Sequence, residues 1–162
     1  MQIPSSLATR LQYQHKTLVD LIEGLTEEDT RRQLVTGKWS IFENIVHLQT
    51  YQHAFISRVR NLLAGDNPVF DRYTAESDPL FLDNCHRSFR DIMQDFIDMR
   101  REIISLILSL TETDFIKTAV HSVYGRQNLF QWLNFFLLHE AHHFYTIFKL
   151  SSGLKKIKTS EV

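Results

Sequence analysis

Near the end of this 162-residue chain, the stretch FLLHEAHHFY (Phe136 to Tyr145) places His139, His142, His143 and Glu140 inside an otherwise apolar run. On a helix advancing about 100° per residue, His139 and His143 lie about 40° apart and one turn apart in height, so both imidazoles can reach one ion. His142 sits about 60° from His139 on the other flank and could pair with it as i, i+3, a spacing also used by bundle metal sites. Periodicity alone does not choose between the two pairs. Histidines in such a wall can simply fill space with one hydrogen bond each. Leaving two polar rings buried and unpaired would cost about 1–3 kcal/mol each, and a single divalent ion would satisfy both.

Read literally, His139-Glu140-x-x-His143 is the H-E-x-x-H zinc signature of metalloproteases. That reading fails downstream. A metzincin would continue with Gly at 146 and His at 149, where this chain has Thr146 and Lys149, and the only later glutamate is Glu161 in the polar tail. A third ligand must therefore lie upstream, among His15, His47, His53, His86 and His121. His47 is the best placed, about two turns inside a predicted helix in the apolar setting ENIVHLQTY. His53 lies about 240° further round that helix and cannot share its face. His15 is not excluded by spacing, and His121, in a linker, is expected to face solvent.

The elements that must position these residues are helical. One domain spanning residues 1–162 suits this length, with about 155–162 as a polar tail. Five Gly and three Pro fall between periodic segments, so the fold class is all-α. The first helix should begin after Ser5 or Ser6 and end near Thr26. In the second, Ser40 and Glu43 form an S-x-x-E capping box and Gly65 is the stop. Asp78-Pro79 should open the third, which runs to about Leu110. Asn128 caps the fourth, with Gln131 as its partner and Gly153 beyond its end. Leu25-Thr26-Glu27 is matched by Leu110-Thr111-Glu112, and Gly37, Ser40, Phe42 and Glu43 by Gly125, Asn128, Phe130 and Gln131, given three inserted residues. The architecture expected is a four-helix bundle of two similar helical hairpins.

Charged residues make up 23% of the chain at a net charge of −1, which leaves no broad basic surface for a phosphate backbone and argues against nucleic acid as partner. The single cysteine, Cys85, excludes an internal disulfide and cysteine-rich zinc modules. No apolar run reaches membrane-spanning length and the N-terminal stretch MQIPSSLATRLQ has no signal-like pattern, so no membrane association and a cytoplasmic location are expected.

GKWSIFENIVHLQTYQ, then FIDMRREIISLILSLT, then YGRQNLFQWLNFFLLHEAHHFYTIF together resemble the DinB/YfiT-like superfamily of metalloenzymes, over about residues 7–150. The family pattern, a second-helix histidine soon after a W-S start and an H-x-x-x-H pair on the fourth helix, falls on His47, His139 and His143. The resemblance implies an up-down-down-up bundle and a divalent ion on these histidines, nickel or zinc foremost, with water completing the coordination. It also implies a small-molecule substrate, with a low-molecular-weight thiol as co-substrate in the thiol S-transferases of the family, hydrolysis in others, and homodimers among relatives. Three neutral nitrogens and an open position suit catalysis, whereas a fourth protein ligand would suit a structural site, for which His142 and Glu43 are the candidates.

Glu43 lies one turn before His47 and could orient that ring or act as a catalytic base, although its capping role already explains it. Glu140, off the His139 direction, reads as a solvated group or as one that supports a ligand from behind. Arg100 stands where relatives often carry a third-helix arginine, but its MRRE setting also suits an exposed charged face. Trp39, Tyr51, Trp132, Phe135 and Phe136 are the candidates for an apolar pocket over the ion, although most of the chain's 12 Phe must serve the core.

Overall fold

The computed structural model describes residues 3–65 and 67–160. Its helices are α1 (Ser5–Tyr13), α2 (Thr17–Ile22), α3 (Glu27–Arg31), α4 (Ile41–Ala64), α5 (Pro79–Asn84), α6 (Phe89–Ser109), α7 (Glu112–Phe115) and α8 (Leu129–Ser160). The bundle is built from α1–α2, α4, α6 and α8. Contacts fix their directions. Asn44 meets His143, Tyr51 meets His139 and Phe55 stacks on Phe136, so α4 and α8 are antiparallel. Gln14 bonds Leu137 and Ser151 bonds Leu21, so the first segment and α8 are parallel. Phe42 packs on Phe89 and Arg60 pairs with Glu102, so α4 and α6 are parallel too. The result is the expected up-down-down-up four-helix bundle.

Local chemistry sets the boundaries. Ser40 N–H donates to Glu43 Oε2 at 2.7 Å and Glu43 N–H to Ser40 Oγ at 3.2 Å, the capping box that starts α4. Gly65, at φ 101°, ends it in the left-handed conformation glycine allows. Asn128 and Gln131 exchange the same two bonds at the start of α8. Thr26 and Thr111 also occupy matching caps, each donating its N–H to an aspartate three residues on, Asp29 and Asp114.

Several predicted boundaries move. The first helix starts at Ser5 behind Pro4, is interrupted by a 3-10 turn at Gln14–Lys16, and stops at Ile22; Thr26 caps α3 instead. Asp78 and Pro79 open only the six-residue α5, and Ser88 caps the longer α6 separately. Gly153 does not end α8, which continues to Ser160 through most of the predicted polar tail, while residues 161 and 162 lie outside the described residues. A Cβ at Gly153 would lie 3.2 Å from Leu34 Cδ1, so the glycine allows close packing against the first linker.

A small sheet is the element that the all-α expectation omitted. β1 (Val69–Phe70) pairs in parallel with β2 (Thr118–His121), which pairs antiparallel with β3 (Gly125–Asn128). It joins the loop after α4 to the linker before α8. None of these strands exceeds four residues, too short for an alternating pattern to stand out in sequence.

The buried apolar side chains divide into two clusters along the bundle, one around Leu11, Phe55, Ile103 and Leu133, the other around Leu18, Ile45, Phe96 and Ile147. Each main helical segment also carries polar residues at buried or half-buried positions: Gln14 and His15, then His47, Gln49, Thr50 and Gln52, then Arg100, then His139, Glu140 and His143. Among the described residues no helix is long and apolar enough to cross a membrane.

Candidate metal centre

α4 delivers His47 and α8 delivers His139 and His143 to one point, with one ligand atom from each within 4.8 Å of the others. Ring centroids are 4.9 Å apart for His47 and His139, 4.5 Å for His47 and His143, and 4.7 Å for His139 and His143. The i, i+4 pair is therefore the one that converges. His142 is exposed and outside the group, although it lines the cavity beside it.

One tautomer can be deduced. Asn44 Nδ2 donates to the Ser40 carbonyl at 2.8 Å, which turns Asn44 Oδ1 toward His143 Nδ1, also at 2.8 Å. An amide oxygen only accepts, so Nδ1 of His143 carries the proton and Nε2 keeps its lone pair. His47 Nε2 and His139 Nε2 face each other at 2.9 Å, while their Nδ1 atoms are buried without a partner among the described residues. Burial, followed by the charge of neighbouring histidines, lowers all three rings to about 3, so they are neutral at neutral pH. Neutral imidazole is the ligating form. Three neutral rings gathered at one point, one with its lone pair exposed by a fixed tautomer, fit a divalent cation.

These histidines form one wall of an open cavity of about 1040 Å³, whose other walls include Trp39, Tyr51, Tyr73, Phe135, Tyr124 and Arg58. Trp39 lies 5.0 Å from His47 and Tyr51 4.3 Å from His139, ring to ring. Of the five aromatics predicted to line a pocket, Trp39, Tyr51 and Phe135 do so; Phe136 is core, and Trp132 packs behind the wall.

The remaining candidates fall elsewhere. Glu43 is half-buried, its carboxylate is engaged by the Ser40 cap, and it does not line the cavity. Glu140 is not solvated and does not join the converging histidines. It is 1% exposed and forms an ion pair with Arg100, itself fully buried, so the exposed-face reading of Arg100 also fails. Gln14 Nε2 joins this group, donating to Glu140 Oε2 at 2.9 Å and to the Leu137 carbonyl at 2.8 Å. His15 stands apart from the converging group, lowered to about 4 by burial and by Arg100. His53 bonds Gln49.

His121 overturns its expectation. It is 3% exposed, held at the end of β2, with its ring 5.6 Å from Trp132 and 4.7 Å from Tyr124. A short sheet built from two distant loops pins it there, and linker composition carries no sign of that. Asn44 was missed as well, although its place three residues before His47 puts it on the same helix face and offered a signal.

With this geometry in hand, comparisons place the chain among known proteins. It is 26% identical to the uncharacterised protein YuaE of Bacillus subtilis, the match covering 85% of this chain and 88% of that one. Among solved structures it resembles YfiT from Bacillus subtilis, described as a probable metal-dependent hydrolase with an unusual four-helix bundle topology, at a TM-score of 0.78, 19% identity and coverage of 93% of this chain and 86% of that chain. It also resembles TT2238, a four-helix bundle protein, at a TM-score of 0.63, 18% identity and coverage of 88% and 95%. The DinB superfamily model matches residues 10–147, most of the chain and all three converging histidines, and the protein therefore belongs to the DinB superfamily.

Proposed function

We propose that the protein is a metal-dependent enzyme that acts on a small molecule, with His47, His139 and His143 as ligands of a divalent ion, nickel or zinc foremost. The observation carrying this reading is that the three histidines converge on the wall of an open cavity and that, among the described residues, no fourth protein ligand joins the group. A structural site would be closed by a fourth side chain, and neither His142 nor Glu43 joins the group. The description of YfiT as a probable metal-dependent hydrolase supports the same class.

A divalent ion held there supplies Lewis acidity and favours a nucleophile in its anionic form. The chain's own residues do the rest. Asn44 fixes the His143 ring, Trp39 and Tyr51 pack against the other two rings, and the aromatic walls exclude bulk water from one side of a bound molecule. The nucleophile is water in the hydrolase reading. A low-molecular-weight thiol is the second reading, favoured by a cavity at the upper end of the roughly 300–1,000 Å³ typical of single ligand sites, with room for a co-substrate beside an electrophile.

The test is to measure metal content in freshly purified protein and then assay ester, amide and electrophilic substrates with and without low-molecular-weight thiols, using His47→Ala as the blank. One ion per chain and turnover absent from the blank are expected. Thiol-independent turnover selects hydrolysis and thiol-dependent turnover selects transfer. Absence of metal-dependent turnover across the panel would instead favour a non-catalytic metal-binding protein.

A further inference from the structure

The part of the cavity beyond Tyr51 and Phe135 carries chemistry that the histidine centre does not use. Tyr51 packs against His139, and Phe135 lies between His139 and His121, 6.4 Å from the first ring and 6.0 Å from the second. Arg58 and His121 both line this side. Arg58 is half-buried, and among the described residues no carboxylate pairs with it. Its direction is fixed without one: Nη2 donates to the Asp71 carbonyl at 2.6 Å, and the guanidinium lies 5.5 Å from the Phe70 ring and 5.9 Å from Trp132. The backbone carbonyl anchors the fork without neutralising its charge.

His121 has an equally fixed polarity. The Val123 N–H donates to its Nδ1 at 3.0 Å, with the Tyr124 N–H at 3.4 Å. A nitrogen that accepts carries no proton, so in the neutral ring the proton is on Nε2. No described residue accepts from that atom, and the ring lines the cavity. Burial first, then Arg58, lowers the His121 pKa, which keeps the ring a neutral donor. Arg72 also lines the cavity, and Glu76 is the sole acid among the lining residues.

We propose that Arg58 and His121 form a carboxylate-binding subsite in this cavity, so that the molecule processed at the histidine centre carries an acidic group. The assignment rests on the proposed role of the cavity as the substrate site. A charged guanidinium and one neutral N–H donor suit the two oxygens of a carboxylate, while the aromatic side chains between them and the histidines would hold an apolar or aromatic body. Phosphate would gain less, because one guanidinium and one N–H donor match two oxygens and leave its further oxygens without an assigned donor. The β2–β3 hairpin thus serves the site by presenting His121 and its two turn amides.

Benzoate, uncharged benzamide and inorganic phosphate are suitable probes, with binding read by calorimetry and by NMR of the His121 ring. Measurements on the metal-free chain and on His47→Ala prevent the ion itself from capturing the anion. Benzoate should bind at least 10-fold more tightly than benzamide and phosphate in both proteins, and its binding should shift the His121 signals. Arg58→Gln should erase the preference, Arg58→Lys should retain part of it, and His121→Phe should weaken benzoate severalfold, all with metal stoichiometry unchanged. Equal binding of benzoate and benzamide, no binding of either, preference for phosphate, or a preference that survives Arg58→Gln would each overturn the subsite. Benzoate binding that requires the ion would also overturn it. If the chain binds no metal at all but keeps the Arg58-dependent preference, the subsite stands and the metalloenzyme reading falls.

Discussion

Adjacent residues of α8 serve two polar clusters of opposite character. Glu140 turns into the bundle and meets Arg100 and Gln14, so charge is balanced inside the protein and three helical segments are tied together, although Arg100 Nε and Nη1 find no hydrogen-bond partner among the described residues. His139 turns about 100° away and meets two groups of its own kind, nitrogen facing nitrogen, with its Nδ1 unpartnered. Burial acts against charge in both places. It pushes Glu140 up and Arg100 down, and in each case the partner's charge opposes the shift. At the histidines, the neighbours' charges reinforce the effect of burial and keep the rings neutral. A buried cluster whose charges the protein itself balances serves cohesion, whereas neutral rings gathered with their lone pairs beside a cavity are arranged for an external cation.

The largest separation between the clusters should appear in metal binding. His47→Ala, His139→Ala or His143→Ala should weaken affinity by more than about 100-fold, beyond the usual effect of outer ligand partners, while His142→Ala should change it little. Metal analysis after dialysis checks this. Equal losses for His142→Ala and His143→Ala would mean that four histidines share the ion.

Acid should destabilise the histidine side next. In the metal-free chain the three rings sit near 3 when folded, against about 6.5 when unfolded. The unfolded chain therefore binds more protons between these values, and the stability contributed by the neutral rings is complete above about pH 6.5 and lost as pH falls toward 3. Chemical denaturation across that range should show a slope that flattens in His47→Ala; an unchanged slope would remove these histidines as its source.

The matched cluster should respond in the opposite sense. Glu140→Gln leaves a buried arginine uncompensated and should cost about 3–5 kcal/mol in urea unfolding, with one metal site retained. Loss of the ion with little loss of stability would make Glu140 part of the centre instead. The smallest effect belongs to Asn44→Ala, which frees the His143 ring and should weaken metal binding by about 10–100-fold. Asn44→Asp, which preserves an acceptor, should recover most of it.

Legibility in the sequence followed the range of the interaction. The caps at Ser40 and Asn128 were readable because both partners lie three residues apart. The His139–His143 pair, four residues apart, was readable as ligand geometry because its range is just as short, although His142 stayed in contention until α4 was in place. Gly153 was misread, because a glycine that admits Leu34 from another part of the chain looks in sequence like one that ends a helix. The matched linkers show the limit most clearly. Both carry the Thr-Asp cap and a left-handed glycine, Gly37 and Gly125 at φ 72°, but only the second forms strands, because β1 from the loop after α4 pairs with it.

By itself the sequence determined the helical class, the caps, the likeness of the two helical hairpins and a short set of possible ligands, since each depends on periodicity or on contacts within a few residues. Tertiary structure decided which polar groups are charge-paired inside the bundle and which face the cavity. Glu140 could be assigned to cohesion only once Arg100 and Gln14 arrived from other helices, 40 and 126 residues away. His121 became part of the cavity wall only when two loops joined into a sheet. Those outcomes depend on where distant backbones meet, and the burial that then alters a side chain's chemistry is a property of the assembled bundle.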